Sequence, residues 1–294
     1  MYQNITALLL VVVSGIIHMI WNSRYKVAQY PNKLFAGTRF LNLIYLLPIC
    51  IYFFEPISTK AWVYMITSGI IHYFYFYFLI LMYSNEDFSK VYPLSRGLGN
   101  LLTPILGVTL INESLGIIPL IGIFANVIGL FMLNFRNLKA LTNHGTKGVQ
   151  ISPSKGVIYS ILTGITVTMY SYVDKLGVDE INPVQYFYIY MAITFIIYNF
   201  NFFLKKENVY SDFFKKKNLF EYSFVGLSDS LSYLLILFTL TFTNLSYVAP
   251  MRNSGIVTSS LFGLIYLNEK FYKSRLIGSI LIFVGIIIIT IGIK

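Results

Sequence analysis

Polar side chains recur at helical spacing inside an apolar run near the start of this 294-residue chain. His18, Trp21, Asn22 and Lys26 follow the i, i+3, i+4, i+8 pattern that places side chains on one face of an α-helix. An ionisable group exposed to lipid near the centre of a spanning helix costs roughly 2.5 to 3.5 kcal/mol. The stripe is therefore predicted to face the protein interior, as a binding surface or as a packed, hydrogen-bonded histidine with its neighbours.

Two later apolar runs carry polar groups at matching places. His72 and Tyr75 lie in one run, and Asp229 and Tyr233 lie in the other. Asp229 lies about ten residues into its run, where a carboxylate near the bilayer midplane is either protonated or paired with a cation. It is the strongest single candidate for an ion-binding or ligand-binding residue, and a structural pair with His or Arg on a neighbouring helix is the alternative.

Two prolines and two arginines also occupy matching places. Pro93 and Pro250 each lie about one turn inside an apolar run, and Arg96 and Arg252 follow them closely. Because proline removes a backbone hydrogen bond, both runs are predicted to be kinked or broken helices. A guanidinium roughly two turns into the membrane needs an anion, and Asp229 could serve either arginine. Arg252 with the adjacent Asn253 is predicted to hold a carboxylate or phosphonate group, unless Arg252 bonds helix-end carbonyls instead.

Charged residues at the ends of two runs are candidate gates. Lys26 ends the first run, and Asp174 and Lys175 end the sixth, although residues at helix ends also reach the interface and stay solvated. Several aromatic side chains could line a cavity suited to an amine-bearing ligand: Trp21, Tyr75, Tyr83, Tyr92, Tyr170 and Tyr233. With 24 Tyr and 25 Phe in the chain, most aromatic residues are expected to pack or to face lipid.

The elements that position these residues are spanning helices. The chain is 56% hydrophobic and 12% charged with a mean hydropathy of +0.68, whereas soluble domains average about 25% charged residues. Runs of spanning length, about 20 residues each, number ten: Ile5–Lys26, Leu34–Phe54, Ala61–Tyr83, Phe88–Ile111, Leu115–Phe135, Lys155–Leu176, Pro183–Leu204, Leu219–Phe242, Leu245–Leu267 and Phe271–Ile293.

The ten runs form two similar sets of five. The segment DFSKVYPLSRG matches NLSYVAPMRNSG, and Lys26 with Lys175, like Arg96 with Arg252, keeps a nearly constant offset. Because each set has an odd number of spans, the second set enters the membrane from the opposite side. The predicted fold is an all-α integral membrane protein of two inverted five-helix repeats, at residues 1–140 and 155–294, with an inter-repeat loop at 141–154.

Basic residues predict the orientation. Sixteen of the 22 Lys and Arg residues follow odd-numbered runs and three lie on the opposite side, so the positive-inside rule places both termini outside. The formal charge of +10 is assigned to topology and not to nucleic-acid binding. A single cysteine, Cys50, provides neither an internal disulfide nor a metal-thiolate cluster. No metal and no cofactor are predicted.

These motifs together resemble the ten-helix EamA branch of the drug/metabolite transporter superfamily over essentially the whole chain. The likeness is to a subgroup with H-x-x-W-N-x-x-x-K in helix 1, together with DFSKVYPLSRG, YSYVDKLGV and VAPMRNSG. Asn253 departs from that subgroup, which has Glu after the Arg. The superfamily is usually placed with both termini in the cytoplasm, so its orientation and the charge count disagree.

The resemblance implies a secondary transporter working by alternating access around a site built from helices 1, 3, 4, 6, 8 and 9. The predicted substrate is a small polar metabolite, amino-acid-like and zwitterionic or anionic, with protons or other coupling ions as further partners. A passive channel or facilitator is the alternative, and an intramembrane enzyme is less supported because H-E-x-x-H and G-x-S-x-G are lacking. We expect a monomer or homodimer in a prokaryotic plasma membrane.

Overall fold

The computed structural model describes residues 2–86, 88–143, 154–206, 208–211, 213–258 and 273–293, with side chains except at 88–90, 134–143 and 273–275. This part of the chain is built from ten helices: α1 Tyr2–Val27, α2 Pro31–Tyr52, α3 Thr59–Asn85, α4 Phe88–Leu110, α5 Ile117–Asn143, α6 Lys155–Val178, α7 Pro183–Leu204, α8 Lys216–Leu240, α9 Leu245–Met251 and α10 Lys273–Gly292. After α9 the chain turns at Arg252 and Asn253 and is helical again over residues 254–258.

The helices agree with the predicted spans to within about three residues at most ends. Six of them, α1, α2, α3, α6, α7 and α8, are long and apolar enough to cross a membrane. Shorter apolar segments lie in α5 and α10, at Ile117–Leu133 and Leu276–Gly292. Most of the predicted inter-repeat loop, and the end of the ninth run at residues 259–267, lie outside the described residues. The regular secondary structure of the described residues is helical throughout, as the prediction of an all-α integral membrane protein requires.

Hydrogen-bonding side chains cap the first turn of several helices. Ser58 precedes α3 and accepts a hydrogen bond from the Ala61 backbone N–H, which satisfies one of the free donors of the first turn. Asn182 does the same for α7, where Pro183 occupies the first helical position. Glu113, in the loop before α5, accepts from the Leu245 and Ser246 backbone N–H groups and so caps α9 from across the bundle. These caps hold the helix starts in fixed register.

Helix packing follows a two-fold exchange between α1–α5 and α6–α10. The α3–α6 contact has its counterpart in α1–α8, and the α2–α8 contact has its counterpart in α3–α7. The α2–α7, α4–α9 and α5–α10 contacts map onto themselves. These exchanged contacts are what two structurally equivalent five-helix sets produce.

Atomic contacts obey the same exchange. A Cβ on Gly122 would lie 2.6 Å from the Gly285 carbonyl oxygen, and one on Gly129 would lie 2.6 Å from the Gly278 carbonyl oxygen. The earlier glycine of α5 meets the later glycine of α10, so the two helices run antiparallel at backbone contact distance. Small residues allow this close approach in membranes. The sets are therefore inverted where they meet.

Candidate functional site

Two small cavities lie side by side at the centre of the bundle and share His18 and Arg252. The first, here the arginine cavity, has a volume of about 10 Å³ and is lined by Ser14, Gly15, His18, Tyr92, Arg96, Asn100, Arg252 and Ile256. The second, here the aromatic cavity, has about 20 Å³ and is lined by His18, Trp21, Arg39, His72, Tyr75, Phe76, Tyr170, Phe187, Tyr190, Asp229, Tyr233 and Arg252. Each has room for about one water molecule.

Arg96 of α4 projects into the arginine cavity and bonds only neutral groups there. Its guanidinium donates to His18 Nε2 at 2.6 Å, to the Tyr75 hydroxyl, and to the Tyr170 hydroxyl at 3.5 Å. Because a guanidinium is donor-only, His18 Nε2 must be an acceptor and the imidazole must be neutral. Asn22, one turn along α1, contacts the same ring and accepts from the Tyr83 hydroxyl at 2.8 Å.

Arg252 is aimed at both cavities by the break that follows Pro250. The helix ends at Met251, and the guanidinium of Arg252 lies 5.6 Å from the centre of the Tyr233 ring. In α4, by contrast, the helix continues through Pro93 without interruption. The sequence predicted a kink or a break at both prolines; the structure shows a break after Pro250, whereas α4 is continuous through Pro93.

Asn253, next to Arg252, joins a buried amide chain. It accepts from Asn100 Nδ2 at 2.6 Å and donates to Asn126 Oδ1 at 3.1 Å, which links the turn after α9 to α4 and α5. The oxygen and nitrogen of the Asn253 amide are both engaged in this chain, and the joint binding of an anionic group by Arg252 and Asn253 stays a prediction. The amide chain holds the turn that orients Arg252.

Asp229 of α8 pairs with Arg39 of α2, a residue that sequence reasoning missed. The Arg39 Nη2 to Asp229 Oδ2 distance is 2.7 Å, and the two side chains are 5% and 11% exposed. Arg39 also lies over the Phe76 ring at 4.4 Å. Its position in the sequence was the signal. Arg39, Arg96 and Arg252 are the three basic residues that the orientation count assigns to neither side of the membrane. The partner of Asp229 is Arg39, not Arg96 or Arg252.

Asp174 is fully buried and accepts three hydroxyl hydrogen bonds. Ser68, Tyr186 at 2.8 Å and Tyr233 donate to its carboxylate, and His72 Nε2 lies 3.9 Å from Oδ2. Helix α6 continues to Val178, so Asp174 lies a turn inside the helix and is not at a solvated end. The imidazole of His72 is stacked between Tyr170 and Tyr190, with ring centroids 4.3 Å apart in each pair.

Lys26 and Lys175 each bond the carboxyl end of a helix, and Lys175 also pairs with Asp179 at 2.9 Å. Lys26 Nζ donates to the carbonyls of Tyr83 and Glu86 at 2.8 Å, and Lys175 Nζ donates to the Leu240 carbonyl at 2.9 Å. Each ammonium therefore caps the carboxyl end of a helix, α3 or α8, where the helix dipole favours a cation. The two contacts are exchanged by the two-fold relation.

Most of the predicted binding residues thus line the two cavities, whereas the gate candidates Lys26, Asp174 and Lys175 do not, and two further helices contribute. Besides α1, α3, α4, α6, α8 and the α9 turn, α2 contributes Arg39, and α7 contributes Phe187 and Tyr190. Trp21 packs on His18 at 4.6 Å and donates to Ser232 Oγ at 3.0 Å. Among the described residues, no group of three or more His, Cys, Asp or Glu side chains could hold a metal.

The fold is that of a helical membrane protein, and comparisons with known proteins are consistent with it. Residues 154–291, which span α6 to α10, match the model of the EamA-like transporter family. A crystal structure of another protein superimposes with a TM-score of 0.68 at 15% sequence identity, covering 99% of this chain and 96% of that one. That likeness concerns the fold alone. No curated protein matches the chain.

A double-mutant cycle tests whether Arg39 and Asp229 form the central ion pair. Removing one partner of a buried pair leaves an uncompensated charge, so Arg39→Met and Asp229→Asn should each lower the free energy of unfolding in detergent by about 3 to 5 kcal/mol. The double variant should lose much less than the sum. Lys60→Met, in the exposed Lys60–Glu180 pair, is the control and should change stability by less than about 1 kcal/mol. Additive losses in the double variant would contradict the pairing.

Proposed function

We propose that the protein is a secondary transporter that moves a small zwitterionic or anionic metabolite across the membrane by alternating access. Its anionic group binds between Arg96 and Arg252. The observation that carries this proposal is that both guanidinium groups line the arginine cavity, while neither has a carboxylate oxygen within 4.0 Å among the described side chains.

The charge balance at the centre favours an anionic ligand. Arg39 is compensated by Asp229, whereas Arg96 bonds neutral groups and Arg252 lies over the Tyr233 ring, with no carboxylate oxygen of a described residue within 4.0 Å of either. Moving a charge out of water costs several kcal/mol unless a counter-charge is close. A carboxylate or phosphonate accepts paired hydrogen bonds from a guanidinium, so such a group would supply the missing charge. The rings of the aromatic cavity would suit an ammonium group on the same molecule.

The small size of the cavities supports a cycle with open and closed states. Binding sites for small molecules are typically about 300 to 1,000 Å³, and these cavities hold about one water molecule each. A metabolite can therefore enter only if the helices move apart. We propose that the repeats, residues 1–140 and 155–294, rock about the centre and open it to one side at a time.

The equivalent lysine contacts are suited to be the two gates of this cycle. With the termini outside, as the charge count predicts, Lys26 closes the cytoplasmic end and Lys175 closes the outer end. Both contacts are formed in the structure, in agreement with a centre closed on both sides. Opening one side would break one lysine contact and keep the other. A passive channel would need no such pair of alternating contacts.

Exchange transport tests the role of the arginines. Proteoliposomes loaded with unlabelled L-glutamate, succinate, glycine or methylphosphonate are assayed for uptake of the labelled compound. We expect at least one compound to accumulate by exchange, and we expect Arg96→Gln and Arg252→Gln each to reduce its uptake at least tenfold, because a charged hydrogen bond is worth about 1.5 to 3 kcal/mol. The exposed Arg24→Gln is the matched control. Full uptake in both cavity variants would refute the assignment.

Cysteine labelling tests the lysine gates. In a Cys50→Ser background, Ser14→Cys places a thiol in the arginine cavity, and its reaction with an impermeant maleimide added outside is followed. Adding Lys175→Gln should speed labelling by about tenfold, because the outer contact loses a charged hydrogen bond. Adding Lys26→Gln should slow it by favouring the inward-open state. Equal rates in both variants would show that these lysines do not control access.

A further inference from the structure

We propose that Asp174 and His72 together form the proton-binding site of this transporter. The sequence pointed to Asp229 as the strongest ion-binding candidate and to Asp174 as a gate. The proposal rests on the proposed function for its role in transport, but the proton site itself can be tested without any substrate.

The partners of Asp174 suit a carboxyl group that gains and loses a proton. Ser68, Tyr186 and Tyr233 all donate hydroxyl hydrogen bonds, which stabilise the carboxylate without supplying a charge. Within the part of the chain that the structure describes, no Lys or Arg nitrogen lies within 4.0 Å of the Asp174 carboxylate. Asp229 differs in this respect, because Arg39 holds it as a permanent counter-charge.

The hydrogen bonds of His72 leave its Nε2 atom available to bind one more proton. Its Nδ1 lies 3.0 Å from the Ser68 carbonyl oxygen, which only accepts, so Nδ1 carries the hydrogen. The Ser68 hydroxyl hydrogen is already donated to Asp174. In neutral His72 the Nε2 lone pair therefore faces the Asp174 carboxylate at 3.9 Å, where lone pair and charge repel. A proton on either group removes that repulsion.

A short route connects the pair to the aromatic cavity. Asp174 lines neither cavity, whereas His72 and Tyr233 line the aromatic cavity. The Tyr233 hydroxyl can pass its proton to the Asp174 carboxylate while it takes one from a hydronium ion in the cavity. One proton then moves inward, the hydronium becomes water, and Tyr233 remains neutral. Return to the other side of the membrane reverses the same step.

Charged groups that face Asp174 and His72 couple binding of this proton to binding of the transported anion. The groups that face it are Ser68 of α3, Tyr170 of α6, Tyr186 and Tyr190 of α7, Tyr233 of α8, Arg252 beyond α9, and the Arg39–Asp229 pair across the aromatic cavity. Arg252 opposes proton binding, and an anion bound to Arg252 would cancel that effect. Because linkage is reciprocal, anion and proton would favour each other and move together.

Neither other candidate fits this role as well. His18 accepts a hydrogen bond from Arg96, so protonating its Nε2 would place two cations in direct contact. Asp229 could be protonated only by breaking its ion pair and leaving Arg39 without a counter-charge. Asp174 with His72 gains a proton without disturbing either arginine.

Infrared difference spectroscopy of the purified full-length protein tests the proton site directly. Spectra recorded across a pH titration should contain a carbonyl-stretch band from a buried carboxylic acid that appears on acidification. The band should be present in wild type and absent in Asp174→Asn. Asp229→Asn is the comparison and should retain the band as long as it elutes as a folded monodisperse peak. Persistence of the same band in Asp174→Asn would overturn the proposal.

A second variant keeps the test decisive if Asp174→Asn does not fold. Tyr233→Phe removes one hydroxyl bond to the carboxyl group, so the band should shift to higher frequency while the protein remains intact. Tyr247→Phe, which removes a hydroxyl bond to the Ser114 carbonyl, is the matched control and should leave the band unchanged. No shift in Tyr233→Phe would also overturn the assignment. These measurements use no substrate, so failure here is distinct from failure of the exchange assay.

Discussion

The structure depends on how charge is compensated in a medium that solvates it poorly. Each ion buried in the bundle must find a counter-charge, a set of hydrogen bonds or a proton, or it costs several kcal/mol. The three arginines meet this constraint differently. Arg39 has Asp229, Arg96 has neutral acceptors, and Arg252 has an aromatic ring. The incomplete compensation of the last two is the basis on which we propose a ligand site at the centre.

The two five-helix sets share packing contacts but differ in their central ionisable residues. Glycine contacts between α5 and α10, and the lysine caps on α3 and α8, occur in both sets because both sets need close packing and closed ends. The acidic residues break the relation, since the offsets place Tyr25 opposite Asp174 and His72 opposite Asp229. In the mechanism that we propose, the two inverted sets rock symmetrically although their central ionisable residues differ, and the centre holds one proton site.

The sequence predicted the helices and the inward stripe of α1 because spanning length and helical period are local properties. It did not predict the pairing of Arg39 with Asp229, the direction of Asn253 or the burial of Asp174. These three features depend on how the helices are rotated against one another and on where α6 ends. The sequence of a single segment determines neither. The count of basic residues did leave Arg39 within a span, so its location was readable even though its partner was not.

Ligand-dependent melting of the purified protein tests the central claim most directly. At constant ionic strength, L-glutamate, succinate or methylphosphonate should raise the melting temperature by at least about 3 °C, whereas their uncharged ester or amide analogues should not. The increase should disappear in Arg96→Gln and Arg252→Gln. Equal stabilisation by the uncharged analogues, or stabilisation by a diamine in place of the anions, would contradict an anion site between these two arginines.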